Sequence, residues 1–113
     1  MKVVKKTETN RHQNCDHCAA IEYPLGDKDI NLAVIELTGR YPERGMVVND
    51  VCKEIAYVEK GSCTIGFDDQ VVELEKGDTI MIEPGRAYYW EGEATLVVPC
   101  TPAWYPEQHR EIE

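Results

Sequence analysis

Short apolar runs alternate with polar residues along most of this chain, and glycine, proline or paired acidic residues interrupt them every few positions. INLAVIEL (30–37), GMVVND (45–50), EIAYVEKG (54–61), SCTIGFDD (62–69), QVVELEKGD (70–78), TIMIEPGR (79–86), AYYWEGEA (87–94) and TLVVPC (95–100) each read as a strand bounded by turn signals. A helical repeat is nowhere sustained for a dozen residues. Only PEQHREIE (106–113) suits a helical turn or a frayed end. A sheet closed on itself buries so many short strands most economically, so the pattern predicts one all-β domain over residues 1–113, a barrel or sandwich with little or no helix.

One residue sits oddly in this pattern. Side chains alternate along a strand, so Glu54 shares its face with Ala56 and Val58, while Lys53, Ile55, Tyr57 and Glu59 take the other. A carboxylate on a buried face costs several kcal/mol unless it finds a partner or keeps its proton. Glu54 therefore asks for a reason beyond packing.

Charge narrows the partners. The net charge of −9 argues against nucleic acid or an anionic membrane, both of which need a basic footprint, and KVVKK at the start is too short to supply one. No apolar run approaches a membrane span, and the N-terminus lacks a signal-peptide core, so the cytoplasm is the expected location. Five cysteines without a secretory context are expected to be reduced thiols.

Over residues 30–100 the sequence resembles the cupins, small β-barrel proteins with two characteristic motifs. Glu54 and Gly61 fit the end of the first motif, and YVEKG resembles its usual close. Gly77, Asp78 and Gly85 fit the second, with the proline displaced to Pro84 and Glu83 in its slot. The 15 residues between Gly61 and Gly77 match the short spacing common in bacterial cupins. The resemblance implies a double-stranded β-helix, jelly-roll-like, with residues 1–29 as an N-terminal arm and 101–113 as a C-terminal extension. It also implies a metal held by three histidines and a glutamate. Here the histidine slots fall on Val48, Asp50 and Tyr88, the leading glycine slot on Pro42 and the closing asparagine slot on Gly92, so only Glu54 of the ligand set remains. Transition metals want imidazole or thiolate donors. No metal or other cofactor is therefore expected in the barrel; the alternative is a divalent ion on Asp50 and Glu54, with Cys52 as a thiolate substitute.

Within such a barrel the alternation places Val48, Asp50, Cys52 and Glu54 on the inner wall, facing Tyr88 and Trp90. Carboxylates, a phenol and an indole suit a small polar metabolite, sugar-like or cationic. The first functional reading is a small-molecule-binding barrel. The alternatives are a small isomerase or hydrolase using Asp50, Glu54 and Tyr88 as acid–base groups, and a ligand-free structural barrel in which Glu54 bonds Tyr88. Metal-free cupin enzymes rely on a histidine base, and His12, His17 and His109 all lie near the termini, outside the barrel segment. Cys15 and Cys18 form a C-x-x-C with His12 and His17 nearby; a structural zinc there lacks a second pair of ligands. Cys63 reads as core and Cys100 as packed under TPAWYP, whose Trp104 and Tyr105 close a barrel end or meet a partner. Ile55 and Tyr57, apolar on the outer face, point to a homodimer.

Overall fold

The computed structural model describes residues 1–113. Nine strands follow one another: β1 (Asn10–Cys15), β2 (Cys18–Glu22), β3 (Asn31–Tyr41), β4 (Met46–Asn49), β5 (Lys53–Gly66), β6 (Val71–Glu75), β7 (Thr79–Ile82), β8 (Tyr89–Thr101) and β9 (His109–Ile112). The rest is turn and loop apart from two single 3-10 turns, Lys6–Glu8 and Pro106–Gln108. The all-β class expected from the alternation is the one observed.

Seven strands form a sheet in the order β1-β2-β3-β8-β5-β6, with β7 paired to β5, and β4 and β9 make a second, two-stranded sheet. Every pairing is antiparallel. The Val47–Tyr88 bridge ties β4 to the chain entering β8.

β5 and β8 are longer than the sequence suggests. EIAYVEKG and SCTIGFDD are one strand, and so are most of AYYWEGEA and TLVVPC. Gly61 is therefore not a turn. It lies at φ 79° just after a register slip between Val58 and Lys60, and a Cβ there would sit on the carbonyl of Glu93. The slip is a bulge, and it changes which positions face inward: Ala56 and Val58 before it, Cys63 and Ile65 after it. Gly92 on β8 lies at φ 139°, and a Cβ there would crowd Cys63 Cα and the Ser62 carbonyl at 2.7 Å. The two glycines let paired long strands bend together, so each contributes to both ends of the barrel.

Leu37, Val47, Val58, Ile65, Leu96 and Trp90 anchor a core of 14 buried residues, with Cys63 among them as expected. The outward face stays apolar where β5, β7 and β8 meet. Ile55 pairs with Met81 and Tyr57 with Val97, and Ile55, Tyr57 and Met81 are 40%, 44% and 53% exposed. The tail does not fray: after one 3-10 turn it becomes β9 and runs antiparallel to β4, matching His109 with Asn49. That return carries C-terminal residues to the open end of the barrel.

Candidate functional site

The open end holds a cavity of about 280 Å³. Glu54, Ala56, Tyr88 and Trp90 form its floor, while His12, Glu22, Trp104, His109 and Glu111 come from the terminal segments. Its volume is just under the roughly 300–1,000 Å³ usual for small-molecule sites, so it suits a metabolite.

Asn49 organises the wall. Its carboxamide is buried, and Oδ1 accepts from Trp104 Nε1 at 3.2 Å, Gln108 Nε2 at 2.8 Å and His109 Nδ1 at 2.8 Å. Gln108 Oε1 takes the backbone N–H groups of Val51 and Cys52, which commits its amide nitrogen to Asn49. Asn49 Oδ1 is therefore the oxygen, and its Nδ2 donates to Glu54 Oε1 at 3.1 Å and to the Tyr88 hydroxyl at 3.3 Å. Because Oδ1 can only accept, neutral His109 carries its proton on Nδ1. Nε2 is left as the acceptor for the Tyr41 hydroxyl, 2.9 Å away. Burial lowers the His109 pKa below the ordinary value, which favours this neutral form.

Glu54 has its acid–base behaviour set by the same surroundings. Burial pushes its carboxyl up from 4.5 to about 7, against the lowering effect of its bonds from Tyr88 and Asn49. Both bonds fall on Oε1. Oε2 has no protein partner, and no buried polar side-chain atom lacks one, so Oε2 opens on the cavity. Tyr88 and Tyr41 are raised above the usual phenol range, mainly by burial, and stay protonated as hydroxyl donors.

Of the residues picked from sequence, Glu54, Tyr88 and Trp90 line the cavity, and Val48, Asp50 and Cys52 do not. Asp50 is exposed and ion-paired with Arg110 at 3.0 Å, so it is not an inner-wall carboxylate. Val48 is buried away from the cavity, and the Cys52 thiol donates to the carbonyl of Pro102 at 3.4 Å. The cause is one of parity. β4 ends at Asn49 and the chain bends at Asp50 and Val51, so the alternation of β5 does not extend back across the bend. Val47 joins the core and Asn49 points to Glu54 instead. The expectation that no histidine enters the barrel is also corrected, because β9 and β1 bring His109 and His12 to the cavity.

The residues do not fit the metal that the resemblance implies. Val48 has no donor, Asp50 is engaged by Arg110, Tyr88 holds its proton, and the His109 nitrogens serve Asn49 and Tyr41. No three His, Cys, Asp or Glu side chains converge as a metal-binding group. Cys15 and Cys18 face each other across the β1–β2 turn, but the Cys18 thiol is buried, bonded by Asn14 and pushed up to about 11 by burial. Cys100 lines the cavity with its thiol bonded to Pro102, also raised by burial.

A model of the EutQ-like cupin domain matches residues 44–99. No curated protein matches the chain. Among solved structures, Streptomyces Pac13 in complex with uridine superposes with a TM-score of 0.89 at 16% identity, covering 100% of this chain and 91% of that one. Pac13 is described as a nucleoside dehydratase. An RmlC-like cupin from Shewanella frigidimarina gives a TM-score of 0.72 at 16% identity, covering 88% of each chain. KdgF from Halomonas sp. gives 0.67 at 13% identity, covering 88% of this chain and 93% of its own. At these identities the likeness establishes the fold. The match of the EutQ-like cupin model to residues 44–99, which carry the motif remnants Glu54, Gly61, Gly77, Asp78 and Gly85, shows that this chain belongs to the cupin superfamily.

Proposed function

We propose that the cavity binds a small polyhydroxylated metabolite and that Glu54 moves a proton on it without help from a metal. The observation that carries this reading is the Glu54 carboxyl: raised to about 7, held through one oxygen and open to the cavity through the other. A group with a pKa near the working pH is populated both as acid and as base, the condition for efficient general acid–base catalysis. As carboxylate, Oε2 takes a proton from carbon next to a carbonyl. The electron pair moves into a new C=C bond, the C–O bond to a neighbouring hydroxyl breaks, and Glu54 returns the proton to make water. The same first step with reprotonation at another atom is an isomerisation. The Trp90 indole N–H and the Asn31 carboxamide line the same space without a hydrogen-bond partner in the protein, as uncharged donors for a developing oxyanion. Tyr41, on the same wall, is held in place by donating its hydroxyl hydrogen bond to His109 Nε2.

Pac13 supports the reading by precedent: its fold, matched over the whole of this chain, binds uridine and carries a nucleoside dehydratase. Binding tests the reading before any product is known. Uridine and simple sugars, titrated at millimolar concentration into ¹⁵N-labelled protein, are expected to shift the indole N–H signals of Trp90 and Trp104. If every compound leaves these and their neighbours unmoved, the binding reading is rejected.

A further inference from the structure

The cavity wall carries three carboxylates, Glu22, Glu54 and Glu111, and no lysine or arginine. Proteins hold phosphate with basic side chains, with helix N-termini or with turns of successive backbone amides. Of the first, lysine and arginine are missing from this wall and only the imidazoles of His12 and His109 are present, and the chain has no helix longer than a single 3-10 turn. Arginines on the neighbouring elements are already engaged. Arg11 pairs with Glu36 at 2.7 Å, Arg110 with Asp50, and Arg40 donates to the carbonyls of Pro42 and Gly45 while lying over the Tyr89 ring.

Hydrogen-bonding capacity also leans toward acceptors. Three of the wall's donors are spent within the protein, Tyr41 on His109, Tyr88 on Glu54 and Trp104 on Asn49, which leaves the Trp90 indole N–H, the Asn31 amide and His12. Its acceptors are free, because neither Glu22 nor Glu111 has a side-chain hydrogen bond or ion pair, and Glu54 Oε2 has none either. Such a wall offers acceptors to a ligand that brings donors, and it repels an anion. Resting on the metabolite-binding reading above, we infer that the cavity selects unphosphorylated, donor-rich molecules: a nucleoside over its nucleotide, a free sugar over its phosphate. Glu22 and Glu111 set that selectivity, and neither takes part in the proton transfer.

Matched pairs test this. Uridine with uridine 5′-monophosphate, and ribose with ribose 5-phosphate, are titrated calorimetrically into wild type and into the surface variant Glu111→Lys at fixed ionic strength. The neutral member is expected to bind at least tenfold more tightly than its phosphorylated partner in wild type, and Glu111→Lys is expected to narrow the ratio severalfold. Equal or tighter binding of the phosphorylated members overturns the inference while leaving metabolite binding intact. An unchanged ratio in Glu111→Lys overturns the role given to that carboxylate. If all four probes fail to bind, the metabolite-binding reading falls and this inference with it. Circular dichroism of Glu111→Lys controls for folding, and Glu22→Gln provides the second variant.

Discussion

Replacing Glu54 by glutamine should alter the pH dependence of stability in a direction fixed by the structure. The folded carboxyl is raised to about 7 against 4.5 in its ordinary state. Between those values the native protein holds a proton that the unfolded chain has released, so the stability this group contributes falls as pH rises through the window and is lost above the folded pKa. At 1.36 kcal/mol per pKa unit, a shift of this size is worth at most about 3 kcal/mol. Glutamine keeps the shape and an oxygen to accept from Asn49 and Tyr88, but it cannot ionise. The two proteins should therefore match within about 1 kcal/mol at pH 4.5, and the variant should be the more stable by about 3 kcal/mol at pH 8. For a domain of this length that amounts to a Tm difference of about 10 °C. His109 works in the opposite sense. Its folded pKa is lowered, so its contribution is present above the ordinary value of 6.5 and lost as pH falls below it. That term is common to both proteins and cancels in the difference. Urea titrations of both at pH 4.5, 6 and 8 supply the assay. A flat difference across this range, or a wild type that gains on the variant as pH rises, would refute the argument.

Other expectations follow from neighbouring features. Asn49→Leu leaves the donors of Trp104, Gln108 and His109 without their acceptor, and at about 1–3 kcal/mol for each buried orphan it should cost more than about 3 kcal/mol in urea denaturation; a loss below about 1 kcal/mol would show that Asn49 is no hub. Binding of uridine or a simple sugar should survive exhaustive chelation, because no three His, Cys, Asp or Glu side chains converge to hold a metal; loss on chelation with recovery on adding one metal would contradict this. The apolar outer face at Ile55, Tyr57 and Met81 should be covered by a second copy of the chain, giving a dimer mass in light scattering that Tyr57→Glu reduces to the monomer; a monomeric wild type at tens of micromolar rejects it.

Much of the fold could be read from the chain because alternation with period two is a local signal. Glu54 stood out on the face of Ala56 and Val58, and the structure places it there. The reading failed where a signal had to cross an irregularity. Extending the β5 parity back over the bend at Asp50 turned the wall inside out by one residue, hiding Asn49 behind Asp50. Gly61 looked like a turn because a glycine after a lysine gives no local clue that the strand continues through a bulge. His109 and Tyr41 were missed for a different reason. Their meeting depends on β9 pairing with β4, some sixty residues apart, and a four-residue strand after two prolines carries too little pattern to announce that partner.

The central claim, that Glu54 moves a proton on a molecule bound in the cavity, is tested most directly by isotope exchange. Compounds that shift the Trp90 and Trp104 signals, together with their aldehyde and keto derivatives, are incubated with the protein in D₂O and followed by mass spectrometry. The account predicts that at least one bound carbonyl compound gains deuterium at the carbon next to its carbonyl, and that Glu54→Gln binds it but abolishes the gain. A bound carbonyl compound that keeps its C–H protons, or exchange that persists at the wild-type rate in Glu54→Gln, would contradict it.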